Sequence, residues 1–412
     1  MSGWLPPENL IDTAADYALK RLKEIYPPGS RRHEPLLWFT DAANLIGVHD
    51  RQIRDAINAG AAKPISGEKR DYLTAAQIQR VRQHLHDNSY KKTLIHRKPE
   101  GSPPYVIAVS NLKGGSGKST MTAHAAAWFA LKGYRTLVID ADPQGTTTTI
   151  MGLLPVLNPP DPDDDMPSHP LMIAPDESLF TVFDTEQISK PRSTFWNGSK
   201  EPAPWNMLDI VPAVIDDYYS EMVIAAKKGE SEVPFNMLLR KAIDTSPATQ
   251  NYDVVIIDTP PSFSNITMNA IYAAHALLIP VPPDTLGVQA TFSYFDKLDE
   301  IFVELEKLYP DNFNRLDFVK AVRVRYNMQP ESIDNSAMVE AVMKDVLLEP
   351  VVFESKTYRS AAQYNLTVFE GLSNELFSRR LFIEAFSTLT DIFSNYERAM
   401  LDYWAGLRRE DG

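Results

Sequence analysis

Residues 113–119 read Lys-Gly-Gly-Ser-Gly-Lys-Ser, two ammonium-bearing side chains within one glycine-rich stretch. Gly114, Gly115 and Gly117 allow successive backbone N–H groups to converge on an anion with no Cβ in the way, and Ser116 lies among them. Lys118 stands where a phosphate loop places the cation that reaches β- and γ-phosphates, and the hydroxyl of Ser119 is the Mg²⁺ ligand of such loops. Leu112 occupies the first glycine position of the common G-x-x-x-x-G-K-[ST] pattern. Lys113 is a charge that this pattern does not require, so it asks for a separate purpose. Three carboxylates complete the set. Asp258 ends the apolar run in YDVVIIDTPPS, a place from which it can hold Mg²⁺, usually through water. Asp140 and Asp142 close TLVIDADPQG, where side-chain alternation buries both only if one faces the nucleotide.

These residues need a strand before the loop and a helix after it. YVIAVS supplies the strand, and the helical pattern that begins at about Gly117 adds its positive end to the anion site. Further apolar runs follow in TLVIDA, MLDIVPA, YDVVIIDTPP, ALLIPVPP and FVKAVRVRY, separated by helical patterns. Continuous Val/Ile/Leu runs between helices predict an α/β fold, a P-loop parallel sheet covered by helices on both faces, over residues 105–412. The Pro- and Asp-rich stretch 157–170 reads as an exposed insertion. Residues 379–408 read as one or two long helices, whose stripe of Leu389, Ile392, Phe393, Tyr396, Met400, Tyr403, Trp404 and Leu407 is expected to dock on the protein.

Ahead of this body the sequence predicts three segments. Residues 1–35 form a helical arm, apolar at helical spacing over 8–25 and ended by Pro27, Pro28 and Gly29, a candidate for dimerisation. Residues 36–90 have the pattern of a winged helix-turn-helix. Thr40 caps a first helix, Gly47 makes the turn, and a second helix over 50–59 buries Ile53 and Ile57 while turning Arg51, Gln52, Arg54 and Asp55 outward. A hairpin around Gly67 carries Lys69 and Arg70, and Thr74 opens a helix bearing Arg80 and Arg82. Residues 91–104, basic and then rich in Pro and Gly, read as a linker.

The chain has 412 residues, a net charge of −13 and no cysteine. Disulfides, thiolate metal sites and iron–sulfur clusters are therefore excluded, and an intracellular setting is expected. The N-terminal stretch lacks the pattern of a signal peptide, and no apolar run is long enough to span a membrane. Charge is uneven. Residues 1–100 hold sixteen Lys and Arg against twelve Asp and Glu, a balance of +4 that leaves −17 for the remainder. A basic first unit on an acidic body predicts that the first unit meets a polyanion.

KGGSGKST, DADPQG and DVVIIDTPPS together resemble the deviant Walker A, Walker A′ and Walker B motifs of the ParA/MinD ATPases. The wider frame is similar to ParA-type plasmid partition proteins of the large class, which carry an N-terminal winged helix-turn-helix, and most of all to the RepA proteins of repABC plasmids. The resemblance runs over nearly the whole chain and weakens at about 150–205 and at the C-terminus. It implies ATP and Mg²⁺ as cofactors, with nucleotide contacts from Lys113, the loop residues Gly114 to Ser119, and Thr120 near the α-phosphate. Arg325 and Asn327 are implied near the adenine.

By the same resemblance Lys113 reaches across a homodimer to the partner's phosphates. Asp142 positions the attacking water, and Asp140 and Asp258 organise the Mg²⁺ shell. Lys356 and Arg359 match positions that touch nonspecific DNA, while Arg51, Gln52, Arg54, Lys69 and Arg70 would meet operator DNA. The implied protein is a cytoplasmic, nucleoid-associated ATPase that segregates plasmids. Its weak hydrolysis would be stimulated by DNA and by a ParB-type centromere-binding partner, and it would repress its own operon without touching a membrane. A second reading is a transcriptional repressor switched by nucleotide, with incidental hydrolysis.

Overall fold

The computed structural model describes residues 20, 35–67, 70–88, 94–157, 171–188, 190–193, 207–214, 234–308, 316–370 and 378–410. The expected arm, apart from Lys20 and Pro35, and the expected wing residue Lys69 lie outside these, as does nearly all of the 157–170 stretch. The first unit runs β1 (Leu36–Trp38), α1 (Phe39–Ile46), α2 (Asp50–Asn58), β2 (Ile65–Ser66), β3 (Asp71–Thr74) and α3 (Ala75–Asp87). Its strands form an antiparallel sheet in the order β1-β3-β2. Gly47 turns between α1 and α2 with φ 80°, the left-handed region that a Cβ disfavours. The first helix begins one residue before the expected cap at Thr40, and the side chain of Asp41 accepts the Trp38 N–H at 3.3 Å. Thr74 and Gln77 do form a reciprocal capping box at the start of α3.

The body follows as β4 (Tyr105–Val109), α4 (Lys118–Leu131), β5 (Thr136–Asp140), α5 (Thr146–Ile150), α6 (Leu179–Thr185), β6 (Arg192–Ser193), β7 (Leu208–Val211), α7 (Leu238–Thr245), β8 (Val254–Asp258), α8 (Asn265–Ala273) and β9 (Ala276–Val281). It ends with α9 (Thr285–Leu308), β10 (Phe318–Tyr326), α10 (Pro330–Met343), β11 (Leu347–Phe353), α11 (Lys356–Gln363) and α12 (Arg379–Glu410). Eight strands make one sheet in the order β11-β10-β9-β4-β8-β5-β7-β6, parallel throughout except where β6 runs against β7. Every apolar run read from the sequence is a strand of it. The edge strands β6 and β11 were not anticipated, and Pro350 within β11 sits on the kind of strand that tolerates a missing N–H.

Alternating strand residues feed two cores. Ile107, Val109 and Val138 pack on one face with α4 and α12, while Val106, Ala108, Leu137 and Ile139 pack on the other with α6 to α10. The stripe of α12 is buried in the first of these, with Leu389, Ile392, Phe393, Tyr396, Met400 and Trp404 each at most 1% exposed. No described helix is long and apolar enough to cross a membrane.

The first unit is seated on this body and shares its core. Arg82 of α3, 2% exposed, donates from Nη2 to the carbonyl of Leu131 at 3.0 Å, and the Gln79 amide reaches the carbonyls of Ala130 and Leu131. These are the terminal carbonyls of α4, which an α-helix leaves without intrahelical partners. Burial pulls the Arg82 pKa down to about 10, so the group stays charged against the negative end of the helix. Arg379 at the start of α12 pairs with the buried Asp41 and lies 4.1 Å over the Trp38 ring. The segment read as a linker is also held down, since Arg97 donates to the carbonyl of Gly133 at 2.6 Å and stands 3.5 Å from Asp253.

Candidate nucleotide site

The loop between β4 and α4 forms one wall of a cavity of about 550 Å³ at the C-terminal ends of the parallel strands, where open α/β sheets place their ligands. Gly115 and Gly117 adopt φ 72° and 88°, which only glycine takes up without strain, and α4 starts immediately after at Lys118. The Lys118 ammonium donates to the carbonyl of Lys113 at 3.2 Å, folded into its own loop. Burial lowers its pKa, an effect that Asp258 and Asp142 oppose. The hydroxyl of Ser116 is buried with no hydrogen-bond partner, a polar atom left over at an anion-shaped turn.

The three sequence-predicted carboxylates do not stand alike. Asp142 lines the cavity, accepts the Gln144 N–H at 3.0 Å, and has its pKa raised by burial. Asp140 and Asp258 sit opposite each other in the β5–β8 register, both fully buried, and neither lines the cavity. Asp140 is closed in by the N–H and hydroxyl of Thr148 at 2.7 and 2.8 Å, and accepts the Asp142 N–H at 3.2 Å. Both Asp140 and Asp142 are thus buried, one under a threonine and one toward the cavity. Burial pushes the Asp258 carboxyl up to about 6 although the hydroxyls of Ser119 and Thr147 bond to it, and it raises Asp140 with the neighbouring Asp258 charge adding to the effect.

Ser119 lines the cavity and its hydroxyl bonds to the buried Asp258, so hard oxygen donors meet where a loop-bound phosphate would sit. This suits Mg²⁺, which keeps waters and phosphate oxygens in its shell. Among the described residues no cluster of three or more His, Asp or Glu side chains could hold a metal without such help.

Lys113 points elsewhere. It does not line the cavity of its own loop, and its ammonium is held by the carboxylate of Asp284, which also accepts the Gly287 N–H at 2.9 Å. Burial works to raise the Asp284 pKa, but Lys113 and Gly287 outweigh it and hold the carboxyl below its ordinary value.

Arg325 bridges the far wall to the loop. It is a non-glycine residue at φ 56°, and its guanidinium donates to the carbonyl of Gly115 at 2.9 Å. Asn327 stands back from the cavity, its amide donating to Glu354 at 3.3 Å and accepting the Gln329 N–H at 3.0 Å. Phe353, Glu354 and Tyr358 do line it, and none was singled out from the sequence because no motif marks them.

The expected DNA-contacting residues fall in two places. On α11, Lys356 and Arg359 are both exposed, with Arg359 at the rim of the nucleotide cavity. On α2, Arg51 lies 3.8 Å from Asp55 and Arg54 lies 2.8 Å from Asp50, so each arginine shares its surface with an acid one turn away. Gln52 accepts the His49 N–H at the same helix start, and Arg70 of the hairpin stacks 4.3 Å over Trp38.

On α4, against Tyr358 of α11, lies His124, 3% exposed. Its Nδ1 donates to the carbonyl of Thr120 at 2.6 Å and its Nε2 accepts the Val368 N–H at 3.1 Å, which fixes the neutral ring. Burial pushes its pKa down to about 4 from 6.5. A histidine depressed on folding contributes stability that is complete above pH 6.5 and is lost as the pH falls toward 4. His124→Gln keeps a donor and an acceptor but does not titrate. Between pH 7 and pH 4 the wild type should therefore lose about 3 kcal/mol more stability than the variant, by chemical denaturation at each pH. Equal losses would show that His124 does not carry this titration.

A glycine-rich loop closed by Lys118, a helix starting on it, and an aspartate at the end of the neighbouring strand define a P-loop nucleotide-binding protein. Residues 105–307 match the family model described as AAA domain. The chain is 27% identical over 361 residues to Protein SopA of Escherichia coli strain K12, covering 82% of this chain and 87% of that protein. It is 27% identical over 272 residues to the chromosome partitioning protein ParA of Caulobacter vibrioides, covering 66% and 85%. A solved structure of a partition protein superposes with TM-score 0.56 at 20% identity, over 89% of this chain and 98% of that one, which bears on the fold. Residues 105–307 are thus similar to a ParA/MinD-type ATPase domain, and the chain resembles plasmid and chromosome partition proteins over most of its length.

Proposed function

We propose that the chain is a partition ATPase that works as an ATP-bound homodimer on DNA. The observation that carries this reading is the position of Lys113. A lysine of the phosphate loop that is turned out of its own cavity and held by a half-exposed aspartate supports a role toward a second chain. In that dimer Lys118 and the loop N–H groups hold the phosphates, Ser119 and Asp258 hold Mg²⁺, and Asp142 orients the attacking water. Mg²⁺ supplies charge neutralisation at the phosphates when bound. Lys113 from the partner stabilises charge developing on the transferred group. A ParB-type protein bound at the centromere stimulates hydrolysis, the dimer parts, and the protein leaves the DNA. The first unit binds operator DNA through α2 and represses the operon.

Two DNA surfaces follow from this reading, and mutation should separate them. Removing Lys356 and Arg359 should weaken ATP-dependent binding to random DNA. It should also shallow the slope of log affinity against log salt by about 0.9 for each DNA phosphate that is no longer neutralised. Arg54→Ala should instead weaken operator binding, by about 1–3 kcal/mol if Arg54 reads a base edge. Filter binding across a salt series and operator footprinting, on both variants, test the proposal. A uniform loss of both activities in both variants would remove the case for two surfaces.

A further inference from the structure

The geometry points to Glu354 as the residue that selects the nucleoside part of the bound nucleotide, by accepting a hydrogen bond from its ribose or its base. This rests on the reading that the cavity holds a nucleoside triphosphate.

The cavity has two chemically distinct ends. One is the phosphate loop with Lys118 and Asp142. The other, where β10 and β11 end, is walled by Val324, Val352, Phe353, Tyr358 and Ala362, a largely apolar surface suited to a flat ring. Glu354 is the carboxylate at that second end. Its backbone is fixed by a 2.7 Å hydrogen bond from its N–H to the carbonyl of Tyr326. Its side chain is oriented from behind, because Oε2 accepts from the Asn327 amide at 3.3 Å. Asn327 is in turn set by the Gln329 N–H on its Oδ1 and by its own N–H on the Ser332 hydroxyl. Among the described residues no donor meets Oε1 of Glu354.

An ionised carboxylate is an acceptor only. Phosphate oxygens are acceptors too and carry the same sign of charge, so Glu354 cannot serve the triphosphate. The donors on ATP are the 2′- and 3′-hydroxyls of the ribose and the 6-amino group of adenine. A carboxylate fixed at the nucleoside end of a cavity meets one of these, as acidic residues do at the ribose in dinucleotide-binding folds. Asn327 then acts as a positioning residue that aims Glu354 and does not touch the base.

A hydrogen bond to a charged acceptor is strong enough that its loss from the ligand reads as about tenfold or more in affinity. The experiment is a titration of the full-length protein with ATP, 2′-deoxy-ATP, 3′-deoxy-ATP and purine riboside triphosphate, which lacks the 6-amino group. Wild type, Glu354→Ala and Glu354→Gln are compared, with melting curves to confirm folding. One analogue should bind wild type about tenfold more weakly than ATP or worse, and Glu354→Ala should bind that analogue and ATP alike. Glu354→Gln should keep part of the preference, because an amide oxygen still accepts. A deficit for a deoxy analogue assigns the contact to the sugar, and one for purine riboside triphosphate assigns it to the base. The inference falls if wild type binds all four equally, or if the preference persists undiminished in Glu354→Ala. Absence of any nucleotide binding by wild type would instead overturn the reading of the cavity, and this assignment with it.

Discussion

Mixing Lys113→Ala chains with Asp142→Ala chains should restore ATP hydrolysis to about a quarter of the wild-type rate, although neither variant alone turns over, as the symmetry of a two-site dimer dictates. In a Lys113→Ala dimer both sites lack the crossing cation, and in an Asp142→Ala dimer both lack the group that orients water. In the mixed dimer the site on the Lys113→Ala chain keeps its own Asp142 and receives the intact lysine of the other chain. That site is complete, and the other site lacks both residues. A crossing cation of this kind is worth about 10³–10⁵ in turnover, so the homodimers form a silent background. The Lys113–Asp284 pair does not lock the lysine away. Its side chains are 21% and 42% exposed, and ion pairs so placed contribute about 1 kcal/mol or less. Steady-state phosphate release from equimolar mixtures is the measurement. Were Lys113 to act on its own chain's nucleotide, every site in the mixed dimer would lack one residue and no activity would return.

Arg82→Ala should cost about 2–4 kcal/mol of stability, from hydrogen bonds donated by a charged group and from the cavity that the side chain leaves. Three losses combine. The Leu131 carbonyl keeps only the Gln79 amide, the negative end of α4 loses its cation, and the space of a fully buried guanidinium is left empty. Arg82→Lys should rescue little, because an ammonium on a shorter stem does not reproduce the planar donor set. Gly133 shows how closely the arginine is fitted, since a Cβ there would stand 2.2 Å from Arg82 Nη1. Chemical denaturation of the nucleotide-free protein gives the number. A change within about 0.5 kcal/mol, the usual effect of a surface substitution, would mean that Arg82 is not a structural cap.

The phosphate loop and the central strands were legible in the sequence because both are local. Glycines, lysine and serine sit within a few residues, and strands buried on both faces in a parallel sheet must be continuously apolar. What escaped depends on distance along the chain or on edge position. Asp284 lies 171 residues from the lysine that it holds, and nothing near either residue announces the pair. β11 carries Glu349 and Pro350, which break an apolar run but suit a strand at the edge. Arg82 is a different case. Ile78, Val81 and Arg82 fall on one face of α3, so helical spacing puts the arginine on the side that Ile78 and Val81 bury. Read from the sequence it is only one charge on that helix, and its spacing from Ile78 and Val81 explains its burial.

The pairing of Asp41 with Arg379 joins residues 338 positions apart. A ribosome adding about 5–20 residues per second needs roughly 20–70 s to travel between them. Through that interval the first unit is outside the tunnel while the helix start that covers Trp38 and Asp41 has yet to be made. The carbonyl end of α4, which Arg82 serves, emerges much earlier. The first unit therefore gains its partners in two instalments, one early from α4 and one near the end of synthesis from α12. A segment made early is thus among the last to be locked, which makes the face around Trp38 a surface that the nascent chain must keep from mispairing.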